Sequence, residues 1–211
     1  MLLWRVTMIF SRKEETPEAH PFLRWFGPSL GAFALFIAEI VQIAVLALAI
    51  ILPVRYFLIQ PFVVKGASME PNFYDNEYLI IDELTFRFRN PERGEIVVFR
   101  PPQHEDQYYI KRVIGLPGET VEIRNGMITI YNLESPNGFV LTEYYIGEVT
   151  EGRDRRTLGA DEFYVLGDNR DASLDSRYFG AVTMDEFIGR VWVRGLPFDR
   201  VSTFDVPTYS E

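Results

Sequence analysis

Ser68 stands in the stretch VVKGASMEP, residues 63 to 71, in a short Gly-Ala-Ser turn between an apolar run and a proline. A serine hydroxyl is a weak nucleophile at neutral pH and attacks a carbonyl only when a base sits beside it. Histidine is the usual base, and the chain has two. His20 precedes a long apolar stretch, and His104 lies in PPQHEDQ, a polar segment of the kind that forms a solvated turn, so neither is placed to serve Ser68. Either the base is of another residue type or Ser68 is only a turn residue.

A lysine offers the alternative. In YYIKRVIGLPGE, residues 108 to 119, strand alternation puts Tyr109, Lys111 and Val113 on one face and Ile110, Arg112 and Ile114 on the other. If the Lys111 face packs inward, desolvation disfavours the ammonium and lowers its pKa, by several units when burial is full. A neutral amine then accepts the serine proton, which an arginine guanidinium does not do. The competing arrangement is a lysine that lays its stem along the sheet and keeps its charge in water, as strand lysines commonly do. Spacing alone leaves both open.

The elements that would position these groups are strands. EYLIIDEL, GEIVVFR, YYIKRVIG, TVEIRNGMITIYN and EFYVLGD are short runs rich in Ile, Val, Tyr and Phe. Turn residues bound them at 72–76, 90–94, 101–107, 116–118 and 125–126. Asn125-Gly126 between two such runs is the strongest hairpin signal in the chain. No long amphipathic helix is evident in this part, TMDEFIGRVW opens with at most one helical turn, and there is no internal repeat. Residues 132–160 are Gly- and Glu-rich and heavily charged, which suggests a smaller, looser excursion from the main body, spanning about 121–162.

Before the strands the composition differs. From Trp25 to Ile59 only Glu39 and Arg55 are charged, and a helix needs about 20 apolar residues to cross a bilayer. The span is placed at 36–58, after an N-terminal segment 1–35 and before a body 59–211. A cleavable leader is the rival, since ALA at 47–49 resembles a cleavage site, but the apolar run continues past it and the segment before it is long. Arg5, Arg12, Lys13 and Arg24 ahead of the span favour a cytoplasmic N-terminus and an extracytoplasmic body at the plasma membrane. The fold class expected is mostly β: one transmembrane helix, then an antiparallel β-sheet domain with a small β excursion.

Charge and composition exclude other classes. The chain of 211 residues has net charge −9. Residues 1–59 hold five basic and four acidic residues, so the remainder holds 16 and 26. A body this acidic lacks the Lys/Arg clusters from which nucleic-acid affinity is built. The absence of cysteine removes thiol catalysis, disulfides and cysteine-ligated zinc, and two distant histidines make no metal site. No cofactor is expected.

Four stretches in order after the apolar span carry a resemblance: SMEP at 68–71, RGEIVVF at 93–99, YIKRVIGLPGE at 109–119 and GDNRDASLDSRYFG at 167–180. Together they resemble the boxes of bacterial type I signal peptidases, over the chain from the span to about Val191. The resemblance implies that Ser68 is the nucleophile, Lys111 the general base and Ser173 the residue that orients the lysine, with an acyl-enzyme as intermediate. It implies that Asp168, Asp175 and Arg177 brace the loop by charge pairing. Where some members carry an oxyanion-binding serine two residues before the nucleophile, this chain has Gly66, as other members do, so the oxyanion would rest chiefly on the backbone N–H of Ser68.

The candidate pocket wall is Phe62, Val64, Met69, Tyr109 and Ile110, with Leu79 and Val98 assigned to the core. Shallow apolar walls suit small side chains, and by resemblance Val64 and Ile110 flank pockets for substrate residues −1 and −3. The implied partners are preproteins bearing signal peptides, the lipid bilayer and the protein export machinery. Two other functions share the residues. A self-cleaving repressor peptidase uses the same Ser-Lys pair but carries a DNA-recognition helix, of which there is no sign here. A catalytically silent anchored β-domain would be free to lose Ser68 and Lys111, and both are present.

Overall fold

A computed structural model describes residues 23–57, 59–104 and 106–209; His20 and the rest of the first 22 residues lie outside it. The chain divides into two compact units, 1–52 and 53–211. In the first, helix α1 (Leu23–Phe57) continues into the second unit and contains a 22-residue stretch, Gly31–Leu52, long and apolar enough to cross a membrane. The helix begins at Leu23, ahead of the membrane span expected from Phe36. It also runs on through Pro53. Phe33, Ile43 and Leu46 are more than 60 % exposed, so these apolar side chains are not packed into a protein core.

The second unit is β, as its sequence pattern predicts. Its strands are β1 (Ile59–Val63), β2 (Tyr78–Asp82), β3 (Ile96–Phe99), β4 (Tyr109–Gly115), β5 (Thr120–Arg124), β6 (Met127–Tyr131), β7 (Phe139–Val140), β8 (Asp154–Thr157), β9 (Glu162–Leu166), β10 (Val182–Thr183), β11 (Phe187–Leu196) and β12 (Ser202–Thr203), with a one-turn helix α2 (Ser176–Phe179). Among the described residues the main sheet runs β1-β2-β11-β3-β4-β9-β10, with β12 on β11, and a four-stranded sheet runs β7-β6-β5-β8. Every pairing is antiparallel.

The Asn125-Gly126 signal is a two-residue hairpin loop: Arg124 pairs with Met127, and both loop residues have positive φ, 54° and 78°. The helical turn anticipated at TMDEF is a single 3₁₀ turn, Met184–Glu186, closed by a Thr183–Glu186 capping box. Strand β3 is buried on both faces, so it reads as an unbroken apolar run. Strands β5 and β6 alternate, with Val121, Ile123, Ile128 and Ile130 turned inward.

Leu141 and Leu158, inside the segment expected to be looser, are buried in the same cluster as Val121, Ile123, Ile128 and Ile130. Those four residues share one core with Ile114 of β4 and with Tyr164 and Leu166 of β9. Burial of that shared apolar face welds the smaller sheet onto the larger, and the charged composition of 132–160 reflects its outer face and turns.

Candidate active site

Beyond β1 the ladder continues for one residue, with the Val64 N–H bonded to the Glu77 carbonyl (2.9 Å) and the Asn76 N–H to the Val64 carbonyl (2.9 Å). The chain then departs at Gly66, whose φ of +86° favours glycine even though a Cβ there would touch nothing within 4 Å. The Gly66 N–H is tied to Asp75 Oδ1 at 2.9 Å. The Phe73 N–H closes one turn on the Met69 carbonyl (2.9 Å), driving Met69 and Phe73 into the core at 1 % and 0 % exposure. Ser68, just ahead of Met69, is left half-buried at the surface of a cleft.

The opposite wall is β4. Lys111 is 3 % exposed, and its Nζ donates to Ser68 Oγ at 2.7 Å and to the Ile110 carbonyl at 2.8 Å. The ring of Tyr109, on the same strand face, lies 5.5 Å from the nitrogen. Burial pushes the Lys111 pKa down from 10.5 to about 8, with the more distant Asp175 and Asp168 carboxylates opposing the shift. The inward lysine prevails over the snorkelling one.

The next residue has the opposite fate. Arg112 turns to the other face and meets Asp168 through two bonds, Nε to Oδ1 (2.8 Å) and Nη2 to Oδ2 (2.7 Å), with both side chains almost wholly buried. Its Nη1 donates to the Gly94 carbonyl (2.9 Å), and the guanidinium stacks on the Tyr145 ring 3.9 Å from its centroid. Asp168 also accepts from Asn72 Nδ2 at 2.8 Å. Asp168 therefore pairs with a strand residue 56 positions away rather than within its own loop.

Asp175 and Arg177 do pair within the loop, Nε to Oδ1 at 2.9 Å. Asp175 also accepts from the Gly167 N–H (3.1 Å) and caps α2 through the Arg177 N–H (3.3 Å). Gly167 is the point of closest approach: a Cβ there would lie 2.2 Å from Ser173 Oγ and 2.4 Å from the Ser68 carbonyl oxygen. Ser173 Oγ is buried and has, among the described residues, no hydrogen-bond partner. It is not bonded to Lys111 here.

The cleft holds about 570 Å³ and is walled by Phe62, Val64, Tyr109 and Ile110 as expected. Met69 is the exception among the candidate wall residues, because its turn carries it into the core. Leu79 and Val98, assigned to that core, also floor the cleft. Leu174 and Gln107 line it too, with no sequence signal to mark them. A serine hydroxyl bonded to a buried amine beside an apolar cleft is an arrangement able to carry out acyl transfer.

Comparison with known proteins gives the arrangement a lineage. Residues 37–196 match the family described as signal peptidase, peptidase S26. A probable signal peptidase I-2 from Synechocystis sp. is 34 % identical over 197 residues, 90 % of this chain and 81 % of that one. A signal peptidase I from Leptolyngbya laminosa is 36 % identical over 170 residues, 77 % of this chain and 81 % of that one. A solved signal peptidase I from Enterococcus faecalis V583 has 34 % identity and a TM-score of 0.42, covering 48 % of this chain and 97 % of that one. The family match begins inside the apolar helix, ends with β11 and takes in every residue that walls the cleft, so the chain belongs to the signal peptidase family, peptidase S26.

Proposed function

We propose that the chain is a membrane-anchored serine endopeptidase that removes signal peptides from exported preproteins, with Ser68 as nucleophile and Lys111 as general base. The observation that carries this is the 2.7 Å bond between a serine hydroxyl and a lysine amine that is 97 % removed from water. The neutral amine takes the Ser68 proton as Oγ attacks the carbonyl carbon after substrate residue −1. The resulting oxyanion is met by the Ser68 N–H. Lys111 returns the proton to the leaving amine, and an acyl-enzyme remains for water to resolve through the same base. A neutral amine has one lone pair for Ser68 and two N–H groups: one reaches the Ile110 carbonyl, and Ser173 Oγ is the acceptor for the other. An otherwise unpaired buried hydroxyl supports that role, since it costs about 1–3 kcal/mol if left unmet.

The shallow apolar floor supports Ala-like residues at −1 and −3 of the substrate, between Val64 and Ile110. The apolar helix, with Arg5, Arg12, Lys13 and Arg24 ahead of it, supports a cytoplasmic N-terminus and an extracytoplasmic catalytic domain. Anchoring places enzyme and scissile bond at one membrane face, which raises their effective concentration, and puts the chain beside the export machinery that delivers its substrates.

The test is cleavage of a preprotein with Ala at −1 and −3 by the full chain in detergent and lipid, across pH. Only the unprotonated amine acts, so with a pKa of about 8 roughly a tenth of the enzyme is competent at pH 7. The value of kcat/KM is expected to rise about tenfold from pH 7 to a plateau above 9, and Ser68→Ala to be silent throughout. A flat profile would remove Lys111 as base, and a silent wild type would favour a binding module. The Gly167→Ala variant is expected to lower stability by about 1–3 kcal/mol through overpacking and to lower kcat at least about tenfold. Its Cβ has to displace Ser173 or the Ser68 backbone; unchanged Tm and kcat would refute that contact.

A further inference from the structure

Among the described residues the smaller sheet has no group in the cleft, yet the segment that follows β7 reaches the Ser68 and Lys111 elements from behind. Arg170, two residues past Asp168 in the loop that carries Ser173, has a side chain with no exposed surface. Its Nε holds the Gly167 carbonyl (2.9 Å), its Nη1 donates to Glu143 Oε2 (2.7 Å) and to Thr150 Oγ1, and its Nη2 donates to Glu143 Oε1. Gly167 is the residue packed against Ser173 and the Ser68 carbonyl, and the Asn169 N–H bonds that same carbonyl at 3.1 Å.

The same segment grips the other side of the nucleophile. Asn72, on the turn that follows Ser68, donates through one Nδ2 to the Tyr145 carbonyl (2.9 Å) and to Asp168 Oδ2 (2.8 Å). The Tyr145 hydroxyl donates back to Glu143, and its ring supports Arg112, the neighbour of Lys111. Residues 143–150 thus touch the loop behind Ser173, the turn behind Ser68 and the strand that bears Lys111.

We infer that Glu143 is a positioning residue for the Ser68–Lys111 pair: through Arg170 it fixes Gly167, and with it the distance between the hydroxyl and the amine. A bidentate carboxylate–guanidinium bond is suited to this because it fixes orientation as well as separation. Catalysis is sensitive to such placement, since a shift of about 1 Å costs on the order of a hundredfold in rate. The inference rests on the peptidase proposal above and assigns the charged excursion its purpose.

The test uses the full chain in detergent and lipid, with the Ala-X-Ala preprotein as substrate. Glu143→Ala is expected to lower kcat 10- to 100-fold with KM within twofold, Glu143→Gln to recover part of the loss, and Thr150→Val to lower kcat about threefold. The control is Ile128→Ala, a core residue of the same small sheet with no bond to the loop, compared at a temperature well below every variant's Tm. It is expected to lower Tm and leave kcat unchanged. Full kcat in a folded Glu143→Ala variant, or an equal fall in Ile128→Ala, would overturn the positioning role alone. A silent wild type would overturn the peptidase proposal and this inference with it.

Discussion

A chain carrying Lys111→Met is expected to fold, to resist heat better than the wild type at pH 7, and to cleave nothing. Loss of the base lowers kcat/KM by at least about 10³-fold, and Lys111→Arg is expected to be as silent because guanidinium holds its proton. The stability gain comes from the same burial that makes the amine a base. In the unfolded chain the lysine titrates near 10.5 and in the folded chain near 8. Below pH 8 both states are protonated and the folded state carries the whole penalty, about 3 kcal/mol. Between 8 and 10.5 the unfolded state binds more protons, so wild-type stability climbs with pH. Methionine removes the penalty and forfeits hydrogen bonds to Ser68 and Ile110 worth about 1 kcal/mol each. Thermal melts should place the variant above the wild type at pH 7, with the gap closing and reversing by pH 10. A variant several degrees below wild type at pH 7 would mean that burial does not depress this amine.

Asp168→Ala works in the opposite direction. It strips Arg112 of both strong acceptors while the guanidinium stays under Tyr145. Breaking a buried pair on one side costs about 3–5 kcal/mol because the surviving charge is unmet. For a domain of this size that amounts to a fall in Tm of roughly 10 °C. The double variant Asp168→Ala with Arg112→Met should recover much of that loss, which a melt of the four corners of the cycle would measure. Additive effects in the cycle would mean that the two side chains do not act as a pair.

These partners mark where sequence reading stops. Strand runs, the Asn125-Gly126 hairpin and the Ser68 turn are local, carried by alternation and by residues suited to positive φ. Alternation gave Lys111 an apolar face but left it open to snorkel, and it was the resemblance of YIKRVIGLPGE that singled it out. The Arg112–Asp168 and Arg170–Glu143 pairs were not legible, since partners 56 and 27 residues apart share no local pattern. Met69 looked like cleft wall from its place beside Ser68, but a single i→i+4 turn sends it inward. Charge composition reports only the outer face of the excursion, and the arginine it clamps belongs to another segment. The start of α1 was not legible because apolar length measures membrane thickness rather than helix length.

The alternation of β4 has a genetic consequence. Lys111 and Arg112 differ by one position, and their roles depend on which is odd and which even along the strand. Slipping β4 one way would aim the permanent cation of Arg112 at Ser68 and leave Val113 opposite Asp168, and slipping it the other way would offer Ser68 only Ile110, so either slip removes the amine. Strands β3 and β9 lock the frame from both sides, Val97 opposite Lys111 and Leu166 opposite Arg112. Single-residue insertions or deletions should therefore be absorbed in the 101–107 turn and abolish cleavage anywhere between Tyr109 and Val113, so that on the proposed mechanism the reading frame of one strand is itself inherited with the dyad.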